Sequence, residues 1–197
     1  MSRALFERIR TALPDVEFTE NYGQTETGPL AVRCPWHPDA KLATVGRPAF
    51  NVEVDVFDSA GKPLPRGRIG EIVTRGPHLF TEYYDEPEQT AQSLRGGAGW
   101  LWTGDLGSID ADGFVSVVDR SKDMLISGGE NIYPAEIENA LYQHPAVAEC
   151  AVFGIPDDHW GEVPAAHVVL AGKASATEDE LIAFCLTFIA RHKRPRV

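Results

Sequence analysis

Residues 21–28 read Asn-Tyr-Gly-Gln-Thr-Glu-Thr-Gly, which sets an aromatic ring (Tyr22), a glycine (Gly23), a hydroxyl (Thr25) and a carboxylate (Glu26) almost side by side. Such groups hold a polar ligand; they equally make a polar loop in which Thr25 and Glu26 cap a neighbour. Three further strings follow in order: Trp102-Thr103-Gly104-Asp105-Leu106, Asp119-Arg120-Ser121-Lys122-Asp123, and Gly128-Gly129-Glu130-Asn131-Ile132-Tyr133-Pro134. An ionised carboxylate such as Asp105 accepts from two vicinal hydroxyls at once, although a Gly-Asp pair more often bonds its own backbone in a turn. Arg120 and Lys122 are cations that a surface also explains, and Gly128-Gly129 either lets a thin chain pass close to backbone or turns a strand into a helix. One short string means little; four in sequence at sensible intervals are hard to obtain by chance.

Together the four strings resemble the AMP-forming acyl-CoA synthetase (adenylate-forming, AMP-binding) superfamily, over nearly the whole chain but only over what is the C-terminal portion of such enzymes. The resemblance implies ATP/AMP, Mg²⁺ and coenzyme A as cofactors and a small carboxylic acid, a fatty acid or another acyl acid, as substrate. Activation brings an anion up to a polyanion, so the α-phosphate has to be held still and its growing charge offset. By resemblance Tyr22 stacks on adenine, a contact worth roughly 1–3 kcal/mol per base elsewhere. Thr25 donates to the α-phosphate, Glu26 holds the metal, and Gly23 leaves room for the acyl carboxylate. Asp105 takes the ribose hydroxyls and Arg120 adds a second ribose contact. Lys122 marks the hinge about which a C-terminal domain swings between two half-reactions, and the loop at Gly129 lies along the pantetheine channel.

The same resemblance predicts what is missing. Its pyrophosphate-wrapping loop, rich in Ser, Thr and Gly, has no counterpart here, and His192-Lys193-Arg194-Pro195 matches only the approach to a catalytic lysine, so that Lys193 is not that residue. Deleting one preorganised donor costs about 2.7–4 kcal/mol elsewhere. The expectation is a fragment of a carboxylate–CoA ligase, truncated before its catalytic lysine and unable to make acyl-AMP alone. The alternatives are an adenylation domain that loads a carrier protein and a non-catalytic nucleotide-binding or interaction module.

Other chemistry is weaker. Ser108, Asp110, Asp112, Gly113 and Asp119 imitate a calcium loop, but serine replaces the first aspartate and aspartate the final glutamate, so a hairpin turn is expected. Cys34 and His37 form half of a zinc spacing with no second pair. Gly96-Gly97-Ala98-Gly99 fails the dinucleotide pattern, and neither a GxxxxGK loop nor a GxSxG elbow occurs. The formal charge of −11 argues against nucleic-acid or anionic-membrane partners, which need a basic footprint. Three dispersed cysteines outside any CxxC pair, no transmembrane run and no signal-peptide core make the cytoplasm the expected location.

The elements that must carry these residues divide by texture. Leu5, Ile9 and Ala12/Leu13 recur at helical spacing over 2–13, Pro14 stops the run, and a short strand at Val16–Phe18 should lead into the Tyr22 loop. Val52, Val54 and Val56 alternate; 69–73, 106–109 and 114–118 read as further strands with Gly and Pro between them, suggesting a small barrel or sandwich. After Arg120 come a strand at 124–126, a helix opened by Pro134 with Ile137, Ala140, Leu141 and His144 on one face, strands at 148–153 and 163–170, and a last helix with a capping box (Thr177, Glu180) and a stripe of Leu181, Phe184, Cys185, Phe188 and Ile189. The fold class is mixed α+β: the end of an α/β lobe, a small distorted β-barrel, then a small β-α-β-β-α domain. The expected domains are 1–119, a remnant of a large AMP-binding domain (1–40 α/β edge, 41–119 barrel subdomain), and 120–197, the mobile C-terminal domain. Leu5, Ile9, Val16 and Phe18, deprived of upstream partners, would leave an apolar surface open to self-association.

Overall fold

Proline cannot continue a helix, and in the computed structural model, which describes residues 3–196, the first helix α1 (Arg3–Ala12) ends two residues before Pro14. The expected start at Ser2 and the Leu5 side chain lie outside the described residues. Ile9 is half-buried, and Leu13 and Val16 are 49% and 50% exposed. Phe18 does have a partner: its ring meets Phe6 edge-on at 6.4 Å. Residues 16–18 form no strand. Alternation alone does not make one without a ladder partner, and the partnered segment starts later, at β1 (Glu20–Gln24), antiparallel to β2 (Gly28–Arg33). Tyr22 and Gly23 therefore lie on a strand rather than on a loop after one.

β3 (Arg47–Pro48) completes a three-stranded sheet in the order β1-β2-β3. β4 (Glu53–Phe57), β5 (Gly70–Arg75), β6 (Leu101–Ile109) and β7 (Val115–Arg120) form a second, four-stranded antiparallel sheet in chain order, with α2 (Pro87–Ser93) inserted before β6. The two sheets meet at one corner, where Val45 N–H donates to Val115 O at 2.8 Å and Val115 N–H to Gly46 O at 2.7 Å. Among the described residues the strands stay as open sheets and do not close into a barrel. Two-residue β3 is too short to carry a ladder from one sheet around to the other. The core between them gathers Ala31, Val54, Val56, Ile72, Ile109 and Val115. Phe57, Val73 and Trp102 form a smaller cluster.

The chain separates into two compact units between Val117 and Val118, inside β7. In the second unit β8 (Leu125–Ser127) and β9 (Glu130–Ile132) form a hairpin, followed by α3 (Pro134–Leu141), β10 (Val147–Asp157), β11 (Gly161–Leu170) and α4 (Glu178–Cys185). The order is thus β-β-α-β-β-α, one strand more than expected, in a sheet β10-β11-β8-β9. Gly128 and Gly129, at φ +59° and +84°, are the two-residue hairpin turn and not a strand-to-helix connection. Pro134 opens α3, and the Thr177–Glu180 capping box is present. Ile137, Ala140, Leu141, Leu181, Cys185 and Ile189 are buried against Leu125, Ile132 and Val152, but Phe188 falls past the end of α4 and is 50% exposed.

Candidate functional site

Between the pairs Glu71↔Leu106 and Val73↔Trp102, β5 advances two residues and β6 four. The surplus is a bulge at Thr103-Gly104-Asp105, with Gly104 at φ +75°. Bulges re-aim side chains at the expense of ladder bonds, and here side chains supply the replacements. Thr103 Oγ1 donates to Ile72 O at 2.8 Å and accepts from Asp105 N–H at 3.1 Å, while Gly104 N–H donates to Glu71 Oε1 at 3.0 Å. Asp105 is consequently no turn aspartate. It sits inside a strand, 9% exposed.

Its carboxylate meets the Tyr22 strand. Tyr22 Oη donates to Asp105 Oδ2 at 2.7 Å, and Gln24 Nε2 donates to the same oxygen at 3.2 Å and to Thr103 O at 2.7 Å. Oδ1 accepts from no donor among the described residues. Burial, then the hydrogen bond and charge of Asp105, push the Tyr22 phenol well above its ordinary range, so it stays a neutral donor. A half-buried aromatic ring thus stands beside a carboxylate with one oxygen held and one open, able to accept hydroxyls.

Gly23 is required by the hairpin itself, whatever it leaves room for: a Cβ there would fall 1.9 Å from Gly28 O. The turn that follows, Thr25–Thr27, is pinned from inside by buried Thr27, whose Oγ1 accepts from Gln24 N–H at 3.0 Å and donates to Gly28 O at 2.9 Å. This leaves Thr25 exposed and Glu26 half-buried at the tip. Glu26 O accepts from Phe80 N–H at 2.8 Å, and Glu26 Oε1 accepts from Tyr83 Oη at 2.7 Å. Burial, then that bond, raises the Tyr83 phenol above its usual value. Gln24, Glu71, Tyr83 and Thr103 escaped the sequence reading. Gln24 shares a face with Tyr22 only once β1 is a strand, since residues i and i+2 of a strand lie on one side; nothing in the sequence signals Tyr83 or Glu71.

The structure brings Tyr22 to Asp105 and sets Thr25 and Glu26 on the adjoining turn. Arg120, Lys122 and Gly129 belong to the second unit. The side chains of Arg120 and Lys122 are exposed there; Asp119, next to them, takes Arg120 N–H on Oδ1 at 2.8 Å and Ala135 N–H on Oδ2 at 2.9 Å, tying the end of β7 to the start of α3. At the β8–β9 tip a Cβ on Gly128 would lie 2.6 Å from the Trp160 ring, whereas Gly129 faces open space. Lys193 Nζ is bonded to both Glu136 oxygens, at 2.9 and 2.6 Å, which suits a structural cation. The calcium-like string is a hairpin turn: Asp110 Oδ1 accepts from Asp112 and Phe114 N–H, each at 2.9 Å, and Lys41 Nζ bonds Asp110 and Asp112 at 2.6 Å each. His37 Nδ1 accepts from Cys34 N–H at 3.1 Å, so that pair closes a turn. Among the described residues no three His, Cys, Asp or Glu side chains converge on a metal position.

Residues 1–84 match the profile of the AMP-binding enzymes, and residues 136–197 that of the AMP-binding enzyme C-terminal domain. A feruloyl-CoA synthase of Amycolatopsis sp. is 46% identical over 180 residues, 91% of this chain and 36% of its own length. A 2-succinylbenzoate–CoA ligase of Geobacillus kaustophilus is 45% identical over 177 residues, 89% of this chain and 36% of its own. Among solved structures, o-succinylbenzoate CoA synthetase from Bacillus subtilis in complex with its acyl-adenylate intermediate superposes with a TM-score of 0.89 at 38% identity, covering 98% of this chain and 39% of that one. An amide bond synthetase from Marinactinospora thermotolerans gives 0.82 at 38% identity, over 90% of this chain and 37% of its own. The chain spans little more than a third of the length of these relatives. It belongs to the AMP-forming acyl-CoA synthetase superfamily.

Proposed function

We propose that this chain carries the nucleoside-holding part of an ATP-dependent carboxylate–CoA ligase. In that reaction a carboxylate oxygen attacks the α-phosphorus of ATP and pyrophosphate leaves; a CoA thiol then attacks the acyl carbonyl and AMP leaves. The observation that carries the reading is the Tyr22–Gln24–Asp105 cluster, which engages Oδ2 and leaves Oδ1 free. In this reading Oδ1 accepts the ribose hydroxyls, the Tyr22 ring stacks on adenine, and the exposed Thr25 hydroxyl faces the α-phosphate. Glu26 fits a Mg²⁺ carried on the phosphates, since one carboxylate with most of the shell left to phosphate and water is how this ion is usually bound. When bound, the ion offsets charge on the phosphate oxygens. Arg120 as a second ribose contact, Lys122 as a hinge and Gly129 beside the pantetheine belong to the same proposal, as do residues 1–119 as part of a nucleotide-binding domain and 120–197 as its mobile partner.

Relatives named for feruloyl and 2-succinylbenzoyl acids support an aryl-bearing acid ahead of a fatty acid. The likeness to an amide bond synthetase keeps open an acyl acceptor other than CoA, such as an amine or a carrier-protein thiol. No helix among the described residues is long and apolar enough to cross a membrane, and three free cysteines suit the cytoplasm we propose.

Calorimetry of the 197-residue protein with AMP tests the core of the reading. Saturable binding that falls at least tenfold in Asp105→Ala is expected, as for loss of one charged acceptor. Equal binding by the variant would refute the ribose role, and no binding by either protein would leave an interaction role for this segment.

A further inference from the structure

We propose that Glu71 is a positioning residue for Asp105, acting through the Gly104 amide. This rests on the reading of Asp105 as the ribose acceptor.

The argument starts from the bulge. Three residues stand where the ladder has room for one, so their orientation is not fixed by strand pairing. Gly104, at φ +75°, has no Cβ to limit its torsions. Left to itself this segment would be the loosest part of β6, yet it bears the carboxylate that the site needs in one direction. The Gly104 N–H meets Glu71 Oε1 at 3.0 Å, a charge-assisted bond that ties the bulge's middle residue to β5.

Glu71 is itself held. Its side chain is 12% exposed, and Arg95 Nη2 donates to the other oxygen, Oε2, at 2.7 Å. Arg95, whose side chain is 53% exposed, is steered by Trp102: its guanidinium lies 4.4 Å over the Trp102 ring while Trp102 Nε1 donates to Arg95 O at 2.6 Å. Trp102 is the residue just before the bulge and is 8% exposed. The clamp therefore closes on itself: the strand that carries Asp105 anchors, through Trp102, the arginine that orients the glutamate that fixes Gly104. From the other side Tyr22 and Gln24 hold Oδ2. Backbone and side chain of the bulge are restrained from opposite directions, and Oδ1 is the atom left to face a ligand. Glu71 touches no proposed ligand atom; its effect is on where Oδ1 points.

The test separates orientation from folding by using two nucleotides. AMP and 2′,3′-dideoxy-AMP share adenine and phosphate and differ in the hydroxyls that Asp105 would accept. In calorimetry Glu71→Ala should weaken AMP about tenfold, the scale of one hydrogen bond to a charged group, and leave the dideoxy nucleotide within about twofold. Glu71→Gln should bind AMP with an affinity between those of the unsubstituted protein and Glu71→Ala, because its amide oxygen still accepts from Gly104 N–H while its NH2 cannot accept from Arg95. Equal losses for both nucleotides in Glu71→Ala, or no loss for AMP, would overturn the proposal. Amide hydrogen exchange gives a readout that needs no nucleotide: Gly104 should exchange at least tenfold faster in Glu71→Ala with the Val54 and Val56 amides unchanged, and an unchanged Gly104 rate overturns the clamp. If the unsubstituted protein does not prefer AMP over the dideoxy compound, the ribose reading falls, and the exchange rates still decide whether Glu71 holds the bulge.

Discussion

Tyr22→Phe removes one oxygen and nothing else from the contact on which the site turns. The phenol donates to Asp105 Oδ2 at 2.7 Å, and Asp105 is 9% exposed, so water does not freely replace the lost donor. Hydrogen bonds to charged groups contribute about 1.5–3 kcal/mol. Gln24 Nε2 still reaches the same oxygen at 3.2 Å, which puts the loss near the lower end, about 1.5 kcal/mol. Urea denaturation at pH 7, followed by tryptophan fluorescence, should show a lower midpoint with an unchanged slope. The effect has a pH signature. Because the folded protein holds the Tyr22 proton well beyond the unfolded value near 10, the stabilisation is present below about pH 10 and is lost as pH rises above it, by about 1.4 kcal/mol per pH unit. Phenylalanine does not titrate, so the difference between the two proteins should be constant from pH 7 to 9 and shrink above pH 10. Equal midpoints at pH 7, or a difference that grows with pH, would refute the account of this contact.

Two further substitutions test the framework behind the site. Gly23→Ala places a methyl 1.9 Å from Gly28 O, which no side-chain movement relieves, so the β1–β2 hairpin should open and cost several kcal/mol; the amide exchange of Gln24 and Thr27 reports it, and a fold-neutral alanine would show that the two strands pair differently. Thr177→Ala removes one half of the capping box on α4 and should cost about 1 kcal/mol in thermal or urea unfolding, with Thr177→Ser restoring most of it.

How far the sequence carried the reading depended on the range of the interaction behind each residue. The α4 capping box, Pro134 at the start of α3 and the stripe Ile137, Ala140, Leu141 are local rules, and the structure has them. The turn at 110–113 was legible from its Asp and Gly residues, but the ammonium that fills it comes from Lys41, some seventy positions earlier in the chain. Tyr22 and Asp105 were singled out through a resemblance; their hydrogen bond spans 83 residues and no periodicity announces it. The misses share a cause. Val16–Phe18 has strand-like alternation without a partner, Gly128-Gly129 reads as a loop until its flanks pair, and Gly104 before Asp105 offers a Gly-Asp turn as its alternative where the structure has a bulge inside a strand.

The arrangement of polar groups also explains how so acidic a chain builds a site around carboxylates. An unpaired buried carboxylate is costly, and in a chain of formal charge −11 its neighbours are more often repulsive than helpful. Each carboxylate near the site is instead engaged by a donor from elsewhere in the fold: Asp105 on one oxygen by Tyr22 and Gln24 of β1, Glu26 on one by Tyr83, and Glu71 by Gly104 on one oxygen and Arg95 on the other. Most of these donors are neutral phenols and amides, which settle the carboxylate without cancelling its charge. Asp105 and Glu26 each keep one oxygen without a protein donor among the described residues, while Glu71, with both oxygens taken, is left to support the bulge. A cationic donor in place of Tyr22 would hold Asp105 as firmly but would neutralise it, and the open oxygen would be a weaker acceptor for a ligand hydroxyl.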